Sequence, residues 1–342
     1  MKRIYHCADL HLGADSKFVP GLLDAQFKAI EQVSDDAVKN DVSTIVIAGD
    51  LFDSPHVLSS VIEGFRKVIE KYAGINYIAV SGTHGHDSYE NERSVYKRSN
   101  FENFPGNFYL LDRSENGYVI IDDIAYYSST HTLGAKPAAG YHVLVFHGVA
   151  EEVQNFIQGS SVKNYDYIAL GHYHFFNQFS INNIPCAYSG SLLAHEWPKG
   201  KQGINESTYA EVAFEKNTIS VTRRHSSSVQ MVRHYVSRSE HLDDVESRLS
   251  DNTWLMLWGK PELKEEAYSR FRDRVKSIDY RELEVKDLPG MVVNAVEKVI
   301  QEQEDDSIPW DRVKEAVLAL LSGEEGTDFI NPDKYMKTMV EQ

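Results

Sequence analysis

Five short clusters of aspartate and histidine, each following a hydrophobic run, constrain this chain more than any other feature in it. They are Asp9-Leu10-His11, Gly49-Asp50-Leu51-Phe52-Asp53, Gly82-Thr83-His84, His147-Gly148 and Gly171-His172-Tyr173-His174. The runs before them, residues 4–7, 44–48, 77–80, 143–146 and 167–170, read as buried strands. Between the first three, Phe27, Ile30, Val33 and Ala37, then Val61, Phe65, Val68, Ile69 and Tyr72, recur at helical spacing. Strand, polar cluster and helix, repeated in that order, predict an α/β sheet with its functional residues at strand C-termini.

Further strands are expected at 118–121, 124–128, 186–188, 209–214 and 218–223, several with alternating faces. The fold class this predicts is α/β, a two-sheet β-sandwich flanked by helices. The pattern changes near Ser237. A helix at 242–249, the strand Trp254-Leu255-Met256-Leu257-Trp258, a helix through Ala267, Phe271 and Val275 and a strand at Leu283 and Val285 make a small α/β unit. After Leu288-Pro289-Gly290 come two amphipathic helices, separated by the acidic run Glu302-Gln303-Glu304-Asp305-Asp306. The expected domains are 1–236, 237–287 and 288–342.

Composition narrows the function classes. With 42% hydrophobic and 25% charged residues, the chain is neither disordered nor a coiled coil alone. No aliphatic run is long enough to span a bilayer. Met1-Lys2-Arg3 leads directly into a strand-like run, unlike a signal peptide. Two cysteines, Cys7 and Cys186, fit a reducing cytosol, so a cytoplasmic protein is expected. The balance of 51 acidic to 35 basic residues gives a net charge of −16. Such a chain does not hold nucleic acid by bulk charge; a polyphosphate ligand requires metal ions, a local basic patch or a partner.

Asp and His without thiolate are typical of hydrolytic rather than structural metal sites, and suit manganese, iron or zinc. One aspartate between two cations holds them about 3.5–4 Å apart, a spacing suited to in-line displacement at phosphorus. A lone histidine is more often a surface or core residue, and a lone aspartate after a strand often caps a helix. Histidines at four strand ends are not explained by caps.

These motifs resemble those of the calcineurin-like metallophosphoesterases: D-x-H, G-D-x-x-D, G-N-H-[DE], a later H, then G-H-x-H. With Tyr188-Ser189-Gly190-Ser191 following, the chain is most similar to the branch containing the nuclease subunit of the SbcCD complex and its archaeal, phage and eukaryotic counterparts. The likeness covers roughly residues 1–225; the α/β unit beyond is similar in position to that branch's capping domain. It implies that Asp9, His11, Asp50 and His174 hold one metal, and that Asp50 bridges to a second held by His147 and His172. Thr83 stands where the family has asparagine, as a weaker candidate ligand. His84 takes the place of the family's catalytic histidine, although an alignment of His86-Asp87 with the family's His-Asp moves His84 into the metal shell. Asp53 is implied to orient His84 or a loop amide.

The resemblance further implies two divalent transition-metal ions, manganese foremost, and a DNA exo- and endonuclease working with an SbcC-like coiled-coil ATPase, as a homodimer. The basic pairs Lys97-Arg98 and Arg223-Arg224 are candidate DNA contacts, with a solvated face as the plainer alternative. The C-terminal helices either pack on the chain itself or dock on that partner. A phosphatase or small-molecule phosphodiesterase is the main rival. The phosphomonoesterases' Arg after the second motif is replaced here by Asp53-Ser54-Pro55-His56, which disfavours it. A non-catalytic scaffold is the third. His84→Ala is expected to leave metal content nearly intact while lowering turnover, checked by elemental analysis beside kinetics; loss of one metal equivalent instead selects the alternative loop alignment.

Overall fold

The computed structural model of the chain describes residues 1–14, 21–82, 94–98, 101, 104–128, 136–160, 164–194, 203–216 and 218–282. Thr83, His84, His86, Asp87, His195 and the expected C-terminal helices within 288–342 lie outside the described residues. The chain divides into two compact units, one of Met1–His195 and Glu206–Val229, the other of Glu196–Asn205 and Gln230–Gln342.

In the first unit, β1 (Lys2–Cys7), β2 (Thr44–Ala48), β3 (Asn76–Val80) and β4 (Phe108–Leu110) lie side by side in that order, all parallel. The other edge of β1 pairs antiparallel with β11 (Gly203–Glu215), and β12 (Thr218–Val236) begins beside β11. A second sheet is built from β5 (Tyr118–Ile121), β6 (Ile124–Ser128), β7 (Tyr141–His147), β8 (Tyr167–Gly171), β9 (Phe176–Ile181) and β10 (Ile184–Ser189). Its order is β5-β6-β7-β8-β10-β9, with β6, β7, β8 and β10 parallel.

The two sheets pack face to face. Ile4, Val46, Ala48, Ile78 and Val80 from one meet Tyr126, Val143, Val145, Tyr167 and Ala169 from the other. Helices cover the outer faces. On the first sheet, α1 (Leu22–Lys39) is tied to β3 by the Ser34 and Tyr77 hydroxyls, 2.7 Å apart. Beside it lies α2 (Ser59–Lys71), where the Tyr72 hydroxyl just past its end donates to Asp35 at 2.6 Å. On the second sheet, α3 (Ala150–Gly159) inserts Val153 and Ile157 among Leu144, Phe146, Ile168 and Leu170. A central strand covered on both faces carries no alternation, which is why β2 and β8 read as unbroken apolar runs. The observed fold is the two-sheet sandwich flanked by helices. The polar clusters follow β1, β2, β3, β7 and β8, all pointing the same way within their sheets.

In the second unit the end of β12, from Gln230, pairs parallel with β13 (Thr253–Gly259), which pairs parallel with β14 (Ser277–Glu282). Helices α4 (Glu240–Glu246) and α5 (Lys264–Phe271) pack Leu242, Val245, Ala267 and Phe271 on Leu255, Leu257 and Tyr280. Trp254 is fully buried, so this aromatic strand is packing. A strand is described at Ser277–Glu282, and the expected strand residues Leu283 and Val285 lie outside the described residues. With only Ile278 and Tyr280 turned inward, its apolar signal is thin. Strand β9 and helix α3 went unpredicted, and β12 runs well past 223, through the polar stretch Arg223-Arg224-His225-Ser226. Cys7 and Cys186 are buried, and burial pushes both thiols up to about 12, leaving them unreactive. No described helix is long and apolar enough to cross a membrane.

Candidate metal centre

The parallel strands place the clusters together because a parallel sheet ends all its strands on one edge. The loops after β1 and β2 run side by side: Asp9 N–H donates to Gly49 O at 3.1 Å, His11 N–H to Asp50 O at 2.9 Å, and Asp53 N–H to Leu12 O at 3.2 Å. From the second sheet, His147 Nδ1 donates to the Ala48 carbonyl at 2.8 Å, and the His172 amide donates to both carboxylate oxygens of Asp9, at 3.2 and 3.0 Å. Those bonds fasten the two edges to each other.

Asp9 and Asp50 lie at the floor of this junction, 0% and 1% exposed. The donor atoms of Asp9, Asp50 and His147 all lie within 4.8 Å of one another, and so do those of Asp9, His11 and His174. Asp9 Oδ1 is 3.9 Å from His147 Nε2, 3.7 Å from His174 Nε2 and 4.0 Å from His11 Nε2. Asp50 Oδ2 is 3.0 Å from His147 Nε2 and 3.8 Å from His11 Nε2. Five of the six expected ligands therefore converge, with Asp9 common to both groups. The His172 ring, exposed at the mouth, stands 5.7 Å from the His147 ring and belongs to neither.

The donor chemistry fits divalent cations. Because Nδ1–H of His147 is committed to a carbonyl, its neutral ring aims the Nε2 lone pair at two carboxylates. That arrangement is repulsive unless a proton or a cation lies between. Burial opposes charging His147, but its hydrogen bond to Asp50 and the charges of Asp9 and Asp50 outweigh it, raising the imidazole to about 9.

The backbone is strained at the same place. Asp9, His11, Asp50 and His172 have φ of 52°, 44°, 45° and 107°. Left-handed φ costs a non-glycine residue about 1–3 kcal/mol each, and such positions cluster at functional sites. Two glycines make the close approach possible. A Cβ on Gly49, itself at φ 87°, would strike the His147 ring, and one on Gly171 would overlap the Ala48 carbonyl.

Several supporting residues carry no signal in the local sequence. From α1, the buried Gln26 donates to Leu10 O at 3.1 Å and His11 O at 2.6 Å and accepts from the Gly13 amide. Buried Asp112 accepts from the Ser81 amide and the Ser128 hydroxyl, both at 2.6 Å, and so fixes the end of β3. Only its position in three dimensions distinguishes Gln26 from any other helical glutamine. Asp53 Oδ1 lies 3.3 Å from His11 Nδ1. That places the carboxylate to orient the His11 imidazole; the expected partner His84 lies outside the described residues.

A model of the calcineurin-like phosphoesterases matches residues 2–186, more than half of the 342-residue chain. The chain belongs to the calcineurin-like phosphoesterases. Among curated relatives, the DNA double-strand break repair protein Mre11 of Aeropyrum pernix is 33% identical over 96 residues, 27% of this chain and 23% of that one. Mre11 of Sulfurisphaera tokodaii is 26% identical over 221 residues, 58% of this chain and 56% of its own. A nuclease SbcCD subunit of Staphylococcus epidermidis is 26% identical over 244 residues, 58% and 63% respectively. The matches span less than two thirds of the length of these relatives.

In this phosphoesterase the four candidate basic contacts stand outside the cluster. Arg223 pairs with Glu206, and Arg224 donates to Glu211 at 2.8 Å. Both arginines line a cavity of about 430 Å³ with Tyr5, Asp36, Lys39 and Tyr209. Arg98 donates to the Val57 carbonyl at 2.6 Å, while Lys97 is exposed.

Two outcomes follow from this geometry. Asp53→Asn, at a carboxylate 37% exposed, is expected to weaken manganese binding about 10- to 100-fold in calorimetry while leaving the melting temperature nearly unchanged. In EDTA-treated protein the raised His147 contributes stability that is complete below its ordinary 6.5 and is lost as pH climbs through about 9. The melting temperature is therefore expected to fall over that interval, and manganese affinity to rise as the competing proton leaves; a flat profile contradicts the assignment.

Proposed function

We propose that the chain is a metal-dependent DNA nuclease subunit that hydrolyses phosphodiester bonds at double-stranded ends and in single strands or hairpins. The observation carrying this is the convergence of Asp9, Asp50, His11, His147 and His174 in one junction of a phosphoesterase fold. The names of the relatives, a double-strand break repair protein and a nuclease subunit, support DNA as the substrate and an SbcC-like coiled-coil ATPase as partner. Two divalent cations, manganese foremost, would be held by Asp9, His11, Asp50 and His174 and by Asp50 and His147, with His172 at the mouth and Thr83 as further candidates; when bound they would ease deprotonation of water and offset phosphoryl charge.

The chain's own residues do the rest. Asp53 and the Ala48 carbonyl set the His11 and His147 rings. His84 is proposed to bind a phosphoryl oxygen and supply a proton to the leaving oxygen. A net charge of −16 leaves little general attraction for DNA, which is consistent with work as a homodimer beside an ATPase. The apolar spacing at Val292, Val296, Val299, Val313, Val317 and Leu320 suits 288–342 to partner docking. The reducing-compartment composition supports a cytoplasmic site of action.

The test is manganese-loaded protein with end-labelled duplex, single-stranded and hairpin DNA, with and without a coiled-coil ATPase. Expected is cleavage that EDTA abolishes and that Asp50→Asn lowers at least about 100-fold. Turnover of bis-(p-nitrophenyl) phosphate or cyclic nucleotides without cleavage of any DNA would instead make the chain a small-molecule phosphodiesterase. Bound metal with no turnover of either would make it a scaffold.

A further inference from the structure

The run Gly171-His172-Tyr173-His174-Phe175 leaves two large aromatic rings in water at the mouth of the candidate site. Phe175 is 57% exposed and Tyr173 38%. Their rings stack on each other at 5.4 Å and 26°, and the His172 ring is 5.2 Å from that of Tyr173. The stack is held from beneath. Tyr173 meets buried Tyr188 edge-on at 4.7 Å, and Tyr188 is itself stacked on Phe179 and donates its hydroxyl to Gly148 O at 3.1 Å. The loop is tied down by the His172 amide on Asp9 and by Ser191 N–H on His174 O.

Single exposed apolar side chains are common, but two mutually stacked rings beside a candidate site form a patch, and patches mark interaction sites. We infer that Phe175 and Tyr173 form a stacking platform for an unpaired nucleobase of the nucleotide next to the scissile phosphate. This rests on the nuclease reading. A phosphodiester held among His172, His174 and the buried carboxylates carries its base within one nucleotide of the rim. Stacking also supplies affinity that a chain of this charge otherwise lacks: Arg223 and Arg224 are already paired with glutamates, and base–aromatic stacking draws on no counterion release. A base inside a duplex has both faces occupied, so the platform favours frayed ends, single strands and hairpin loops.

The test uses the full-length metal-loaded protein and single-stranded oligonucleotides in which one abasic nucleotide is scanned past the cut. Phe175 bears little packing and no candidate ligand atom, so Phe175→Ala is expected to melt with wild type and to bind manganese with unchanged affinity in calorimetry. On intact DNA it is expected to lose about 5- to 150-fold in kcat/KM, mainly through KM, the range that stacking one base supplies. An abasic nucleotide at one position should cost wild type a similar factor and Phe175→Ala nothing further, while Phe175→Trp restores the preference. Independent, multiplying losses, or an unchanged KM in Phe175→Ala, would overturn the platform while leaving the nuclease standing. Wild type that cleaves no oligonucleotide would remove both.

Discussion

Two carboxylates buried side by side, Asp9 and Asp50, are the constraint on which the rest of the first unit depends. An ion taken out of water loses several kcal/mol of solvation even after relaxation, and two of like sign at one place cannot persist without compensation. The chain supplies part of it through the His172 amide on Asp9 and the ring of His147 set against both groups. What remains is a pocket with excess negative charge and imidazole nitrogens aimed into it. A proton on His147 answers that need in one state, and divalent cations answer it in another. The competition between them links metal binding, pH and stability in a single place.

Holding that arrangement requires rigidity on all sides. The edges of both sheets meet, four ligand-bearing or adjacent residues adopt left-handed φ, and glycine at 49 and 171 lets the His147 ring lie against the backbone of β2. Strain of this kind persists only when the surroundings over-determine it. Gln26, Asp112, the Ala48 carbonyl and the paired loops after β1 and β2 do so. The candidate ligands are thus held together by the fold itself, and a preorganised site lowers the reorganisation that a reaction requires.

The electrostatics of the surface contrast with those of the site. The chain is strongly acidic, and the arginines at 223 and 224 are occupied by glutamates on the neighbouring strand. Affinity for a polyanion then has to arise locally, from bound cations, from stacking at Tyr173 and Phe175, or from another subunit. Under the proposed function, the aromatic rim would set substrate choice and the stretch 288–342 would serve assembly.

Much was written locally in the sequence. The unbroken apolar runs of β2, β3 and β8 and the helical spacing of α1 and α2 are short-range patterns, as are the Asp and His clusters that follow the strands, so the sandwich and its candidate ligands were legible there. The edge strand β14, with two inward residues, and the exposed polar length of β12 were not, because half-exposed strands with few apolar residues leave little periodicity. Which candidate ligands share a centre, that Asp9 is common to both groups, that Asp53 supports His11, and that Gln26 and Asp112 hold the loops depend on contacts between residues up to 165 positions apart. The sequence by itself determined the kinds of atoms available and the strand ends that carry them. Only tertiary structure decided their partners, because distances between side chains are set by how two sheets pack, and no local pattern encodes that.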